Sequence, residues 1–374
     1  MGRSLLKIGQ RQLLTFETIT TLDTVPLSGD FGQRYRSFAS CVGDAEDLEL
    51  LSRLIKRRAG PTVVVNLCSG VDSVRIRKHL GRLQAAYLDT SASLLPDRTN
   101  GSFAEIMSYA HTSVDSMFPQ WICWGMNPGL VEIVARRLMM NEEDSAAGYH
   151  VTVYEYDQLD ARTQAGRLGV GWSPAELVEE VMLTPTLEIR EGKVLLAGEP
   201  GAKTKLVRWG EEEVPSRMVA HEDIWNLGRL PQVSSAKFLY AFHESIMEVL
   251  AGPVAPAYER LGVPEDEVSL KGTERVALQV ATDGKVGKCL VWETDHREAW
   301  KRYRMNAVQF QVSRSIQVAL ELLQHTHLGL MRGTHCASTL PLTLQDWHFI
   351  DRVFAANDIL WRPCEALGLC VMDG

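Results

Sequence analysis

The chain has 374 residues, 45% hydrophobic and 23% charged, with 47 acidic against 39 basic residues and a formal net charge of -8. That length suits two domains with buried cores, and an acidic balance without a basic patch argues against a nucleic-acid partner. No apolar run reaches the ~18 to 20 residues that cross a bilayer and no signal-peptide core opens the chain, so a cytoplasmic protein without membrane contact is expected; seven scattered cysteines (41, 68, 123, 289, 336, 364, 370) without a CxxC pair argue against a disulfide framework and a metal site.

Leu5, Leu6, Ile8, Leu13 and Leu14 predict a helix, followed by a strand from Phe16 to Leu22 that closes on Asp23. Helix, strand and an acid about twenty residues after a glycine make the second half of a dinucleotide-binding βαβ unit, in which the acid holds a ribose hydroxyl. Gly2 stands where the third glycine of GxGxxG belongs, and the first strand and first two glycines have no counterpart. Either the loop lies ahead of the written start or the cofactor loop is lost. A helix is expected over 45–58, ended by Gly60-Pro61. Thr62-Val63-Val64-Val65-Asn66-Leu67 then reads as a buried parallel strand ending in Cys68-Ser69-Gly70, where backbone can approach a ligand.

A helix over 71–82 precedes the strand Ala85 to Leu88, which ends in Asp89-Thr90, and another helix lies near 102–116. The aromatic run Trp121-Ile122-Cys123-Trp124 predicts a strand, and Gly125-Met126-Asn127-Pro128-Gly129 the turn into a helix. Strands alternating with helices and ending in small or polar clusters define a Rossmann-like doubly wound parallel sheet, N-terminally incomplete. After residue 148 the texture becomes that of an antiparallel sheet in an α+β domain, with strands near 150–156, 186–190, 193–197, 204–209, 236–242, 274–281 and 287–293. From Asn306 a largely apolar helix begins. The expected division is 1–148, a dinucleotide-binding domain; 149–305, a substrate domain; and 306–374, a helical segment returning to the first domain.

The segments Val64-Val65-Asn66-Leu67, Ala86-Tyr87-Leu88-Asp89-Thr90 and Gly125-Met126-Asn127-Pro128-Gly129-Leu130-Val131 together resemble the bacterial homospermidine synthases, within the saccharopine dehydrogenase-like group. The likeness continues through Tyr156-Asp157-Gln158, Gly171-Trp172-Ser173-Pro174, Tyr240-Ala241-Phe242-His243 and Asn306-Ala307-Val308-Gln309-Phe310. The resemblance implies NAD-dependent oxidation of an amine to an imine, transimination, and re-reduction to a secondary amine.

It also implies residue roles: a substrate-entrance Trp172, an ammonium partner in Glu180, and Asn127 beside the nicotinamide or the amine. His243 is the first candidate for amine binding or proton transfer and His221 its rival. Gly2, Asp23, Asn66, Ser69, Gly70, Asp89, Thr90 and Asn127 are the candidate cofactor-binding residues. Asp23 favours NAD over NADP, because a carboxylate repels a 2′-phosphate. Where the family carries a Cys-x-Glu-Pro-Trp type of segment, this chain reads Ser91-Ala92-Ser93-Leu94-Leu95, so the substrate is expected to differ from putrescine. A small-molecule amine is the expected partner, with a homodimer by analogy. The alternative reading is a homologue without dinucleotide binding that acts as a scaffold or as a non-redox amine-processing enzyme.

Overall fold

The structure, a computed structural model, describes residues 5–6, 18–25, 37–57, 60–68, 70–92, 102–140, 148–198, 204–264, 270–283 and 287–367. It divides into two compact units, Met1–Gly129 with Ser313–Val353 and Leu130–Val312 with Phe354–Gly374. The sequence reading puts these breaks at 148/149 and 305/306. No helix among the described residues is long and apolar enough to cross a membrane.

The first unit is a Rossmann-like α/β fold. Its main sheet is parallel throughout, in the order β16 (Gly333–His335), β5 (Pro119–Trp121), β4 (Ala86–Asp89), β3 (Val63–Asn66). A separate parallel pair joins β1 (Ile19–Asp23) to β2 (Phe38–Val42). Of the strand expected over 16–22, Ile19–Leu22 is extended and continues to Asp23 itself, while Phe16 and Glu17 lie outside the described residues. β2 and β16 have no counterpart in the sequence reading, because both are short and partly exposed and show no clean alternation. Of the expected N-terminal helix only Leu5 and Leu6 are described, and both are helical.

Asp47 caps the helix Leu48–Lys56 and Asp72 caps Ser73–Arg82, each side chain accepting from a backbone N–H in the first turn. Ser102 and Glu105 form a capping box that starts Phe103–Ala110. The apolar faces of the first two helices close on the sheet: Leu51, Ile76, Leu80, Ala85 and Tyr87 form the core, with Leu22 and Val64 packed against it. Burying a side chain as fully as Leu80 contributes ~1.5–3 kcal/mol. Arg77, fully buried, donates to the carbonyls of Ala110 and Thr112 and to Thr334 Oγ1, tying β16 to the sheet.

The run after Trp121 is not a strand. Cys123 takes φ +54° and the chain folds into a closed turn, in which Gly125 N–H donates to Pro128 O at 2.6 Å. Gly129, at φ +119°, is the position this turn cannot fill otherwise: a Cβ there would lie 2.8–2.9 Å from the Gly125 backbone and from Trp124 Cα. Trp124 stacks on Trp121 with centroids 4.9 Å apart, and its Nε1–H donates to Ser315 O.

The second unit is α+β, built on a nine-stranded sheet with the main order β10 (Thr204–Trp209), β11 (Glu212–Val219), β12 (Val233–Phe242), β6 (Tyr149–Asp157), β14 (Thr273–Thr282), β15 (Lys288–Asp295), β17 (Arg362–Pro363). The hairpin β8 (Thr186–Arg190) and β9 (Lys193–Ala197) joins it through β12. A short parallel pair, β7 (Leu168–Gly169) and β13 (Leu261–Gly262), forms its own sheet. The expected antiparallel pairing of the large sheet holds except between β6 and β12, which are parallel, so the sheet is mixed. One face carries Tyr154, Tyr156, Leu239, Ala241 and Ala277 into an apolar cluster with Trp209 and Val291. The opposite face begins equally apolar, with Val151, Val153 and Phe238, and changes character toward the carboxyl ends of β6 and β12.

Candidate active site

Strand alternation puts Glu155 and Asp157 on the face opposite Tyr154 and Tyr156. The register sets Glu155 beside Tyr240 and Val276, and Asp157 beside Phe242 and Glu274. Glu155, Asp157, Tyr240 and Glu274 are all buried, Asp157 and Glu274 completely. Three carboxyl groups and a phenol thus share one dry patch, where charge is costly unless it is paired.

Asp157 is held from two sides. Its Oδ1 accepts from Leu159 N–H at 3.0 Å and from His296 Nε2–H at 2.9 Å. The opposite ring nitrogen of His296 accepts from Ala307 N–H at 3.2 Å, which fixes a neutral imidazole protonated on Nε2. Oδ2 of Asp157 and both oxygens of Glu274 meet no N–H or O–H donor. Burial first, then the charges of Glu155 and Asp157, push the Glu274 carboxyl well above its ordinary range.

The segment Gly171-Trp172-Ser173-Pro174 lies against this patch. A Cβ on Gly171 would collide with Val308 and sit 3.0 Å from Asp157 Oδ2, so only glycine allows so close an approach. Asn306 clasps the loop, donating to Gly171 O at 2.8 Å, and accepts from Gln309 N–H at the start of the helix Ala307–His325. Trp172 Nε1–H donates to Tyr240 OH at 2.9 Å. Ser173 then caps the short helix Pro174–Val178, which passes into the π-helical turn Glu179–Leu183.

That turn carries Glu180 to 4.0 Å from His221 Nε2. His221 stacks on Phe238, with centroids 4.2 Å apart, and its Nδ1–H donates to Asp223 Oδ1 at 2.9 Å. Burial works against a charge on His221, but the charge and hydrogen bond of Asp223, followed by Glu180 and Glu222, outweigh it and raise its pKa well above the ordinary value. Burial lifts Glu180 to about 8 against the opposing pull of His221, with Glu222, Glu155 and Asp223 adding to the rise. Glu176 is lifted to about 7 by burial and then by Glu222 and Glu179. Glu155 acts on Glu180, Tyr240 and Glu274 alike, so the acids form one electrostatic cluster.

A carboxyl group whose pKa is raised by folding is easier to ionise in the unfolded chain, so stability falls as pH rises from the unfolded value toward the folded one. For Glu180 that window runs from 4.5 to about 8. Denaturation of the ligand-free protein should therefore show stability declining across this window, with a shallower decline in Glu180→Gln. Equal slopes would refute the burial account of Glu180.

The structure brings His221, not His243, to Glu180. His243 instead caps the helix Glu244–Leu250, its Nδ1 accepting from Ser245 N–H, while its backbone N–H donates to Asp157 O. Glu155, Asp157, Asp223, Glu274 and His296 carry no role in the sequence reading. The available signal is a strand whose alternating apolar positions, Val151 and Val153, give way to acids at 155 and 157.

Of the expected cofactor residues, Gly2 and Ser69 lie outside the described residues. Asp23 is exposed at the carboxyl end of β1, its Oδ1 accepting from Val25 N–H. Asn66 donates to Tyr87 OH and accepts from Cys68 N–H, which holds the end of β3. Asp89 is spent internally: it accepts from Cys123 N–H at 2.7 Å, and burial lifts it to about 6 despite the charge of Arg77. Gly70 takes φ +77°, and Thr90 and Asn127 are partly exposed.

An open parallel sheet with polar groups at its carboxyl edge, in one chain with an α+β unit holding a buried acidic cluster, is a Rossmann-type two-unit architecture. Among solved structures, the chain is similar to the homospermidine synthase of Legionella pneumophila determined in complex with NAD, at TM-score 0.72 and 12% identity over 94% of this chain and 86% of that one. It is also similar to apo saccharopine dehydrogenase (L-Glu forming) from Saccharomyces cerevisiae, at TM-score 0.58 and 9% identity over 99% and 97%. At these identities the likeness is one of fold. No family model matches the chain and no curated protein matches it by sequence.

Proposed function

We propose that this chain is an NAD-dependent enzyme of amine and imine chemistry, which oxidises a primary amine to an imine, exchanges its nitrogen with a second amine and reduces the product to a secondary amine. The observation that carries the reading is the buried acidic cluster around Tyr240, with Trp172 hydrogen-bonded to that phenol and Glu180 facing His221. Carboxylates and aromatic faces are the groups that hold an alkylammonium, by charge-assisted hydrogen bonds and cation–π contact. The likeness in fold to a homospermidine synthase solved with NAD supports the redox part.

The first unit fits a dinucleotide. Asp23 is exposed at a parallel strand's carboxyl end, where a ribose hydroxyl is held in such folds, and Gly70 leaves the backbone beyond β3 uncovered by a side chain. NAD, when bound, supplies the hydride acceptor and donor. The chain's own residues do the rest. Glu180 and Glu155 hold the ammonium form of the amine, Trp172 offers its ring face, and His221, oriented by Asp223 and with its pKa raised, gives its Nε2 proton to the amine that departs in the exchange. The indole and the burial of the patch limit access of water to the imine.

Protein purified, denatured and assayed by absorbance and mass should yield NAD, and adding 1,4-diaminobutane to the loaded protein should change the nicotinamide absorbance. A protein that binds no NAD and shows no such change would refute the reading. Trp172→Ala should raise the KM for a cationic amine about 5- to 30-fold, the equivalent of ~1–2 kcal/mol of cation–π contact, with little change in melting temperature. An unchanged KM would remove Trp172 from the site.

A further inference from the structure

Glu274 is completely buried, has no role in the proposed reaction, and is surrounded chiefly by other acids. Facing it are Glu155 and Asp157 from β6, with Tyr240 from β12 and Glu180 from the π-helical turn acting on the same cluster. His296, from the helix His296–Tyr303, is neutral because Ala307 N–H occupies its Nδ1. The adjacent Arg275 projects to the opposite face of the sheet and pairs with Glu293.

Asp157, Glu274 and His296 bring ligand-type atoms within 4.8 Å of one another, a spacing that would suit a metal ion. The hydrogen bonds argue otherwise, since His296 Nε2 carries the proton it gives to Asp157 and has no lone pair to offer. Oδ2 of Asp157 and the two oxygens of Glu274 remain without a donor, all of them buried. Two such groups cannot both carry charge in a dry site without a counter-ion, so a proton shared between them is what closes the cluster.

We propose that Glu274 holds a displaceable proton that serves as the counter-ion of the acidic cluster before substrate binds, and that a cationic amine enters in exchange for it. The inference rests on the amine reading given above. An ammonium placed beside Glu155 and Asp157 cancels the negative charge that keeps the proton on Glu274; the carboxyl group ionises, its proton passes to solvent, and the cluster keeps its net charge. Linkage makes the effect reciprocal, so protonation of Glu274 weakens the amine and the amine acidifies Glu274.

Two measurements test this on the full chain. Infrared difference spectra of wild type and Glu274→Gln at neutral pH, without ligand, should show a protonated buried carboxyl band that only the wild type possesses; identical spectra in that region would overturn the proposal whatever the protein binds. Calorimetric titration with 1,4-diaminobutane in buffers of different ionisation enthalpy should show wild type releasing close to one proton more per ligand than Glu274→Gln. Equal proton release would overturn the exchange while leaving the amine reading intact, and absence of binding by the wild type of 1,4-diaminobutane, 1,3-diaminopropane and butylamine alike would overturn both. A tightly held divalent ion in purified wild type that is lost from Glu274→Gln would replace the proton with a metal and refute the proposal.

Discussion

Glu180→Gln is expected to weaken binding of a cationic amine about 10- to 150-fold while leaving NAD content unchanged. The range follows from the ~1.5–3 kcal/mol of a hydrogen bond to a charged group. Glutamine keeps the shape and the acceptor oxygen but not the charge, and Glu180 Oε1 has no protein donor that would mask the change. The pH dependence separates this from a packing effect. The Glu180 carboxyl is lifted to about 8, so it is mostly protonated at pH 7 and ionises on going to pH 9. Wild-type affinity should therefore rise across that interval, and the rise should be smaller in Glu180→Gln. Titrations at several pH values with parallel NAD assays would check it, and equal loss of amine and NAD binding would assign Glu180 a structural role instead.

Gly129→Ala should be the more damaging change to the fold. Alanine at φ +119° is strained by ~1–3 kcal/mol. Its Cβ would also press on the backbone of Gly125 and Trp124 at 2.8–2.9 Å, where no side-chain rotation can relieve the contact. Crowding of this kind costs a further ~1–3 kcal/mol. A total loss of about 3 kcal/mol or more should appear as a lower denaturation midpoint. Gly166→Ala is the fitting control, because a Cβ at that positive-φ glycine meets nothing within 4 Å, so it carries the strain of the backbone without the collision. Equal losses in the two variants would show that the close approach inside the 125–129 turn is not what demands glycine.

Much of the fold was legible because it is written locally. The strands Thr186–Arg190, Lys193–Ala197 and Thr204–Trp209 have the expected bounds, since turn residues punctuate each alternating run. The run at Trp121 misled because Ile122, Cys123 and Trp124 are apolar for a different reason: they line a folded turn buried in the first unit. Val63–Asn66 reads as an interior strand yet is only partly buried, at the end of its sheet.

The candidate site was less legible. His221 and His243 look alike in sequence, each standing at the end of an extended segment and before a helix that opens with glutamate. Their difference lies in what the fold sets beside each ring: Asp223, Glu180 and the face of Phe238 for one, the first turn of its own helix for the other.

By itself, then, the amino-acid sequence determined the alternation of strands and helices in the first part of the chain, the sheet-rich texture of the second, and the Trp172 to Glu180 segment that carries the family resemblance. Periodicity, caps and turn residues act over a few neighbours and can be read one segment at a time. Only the tertiary structure decided that Glu155, Asp157, Glu274 and His296 meet. Their contact depends on the register between β6 and β14, which are far apart in the chain, and on a helix start at Ala307 that fixes one imidazole proton. A shift of one residue in that register would turn Glu274 to the other face of the sheet and dissolve the cluster.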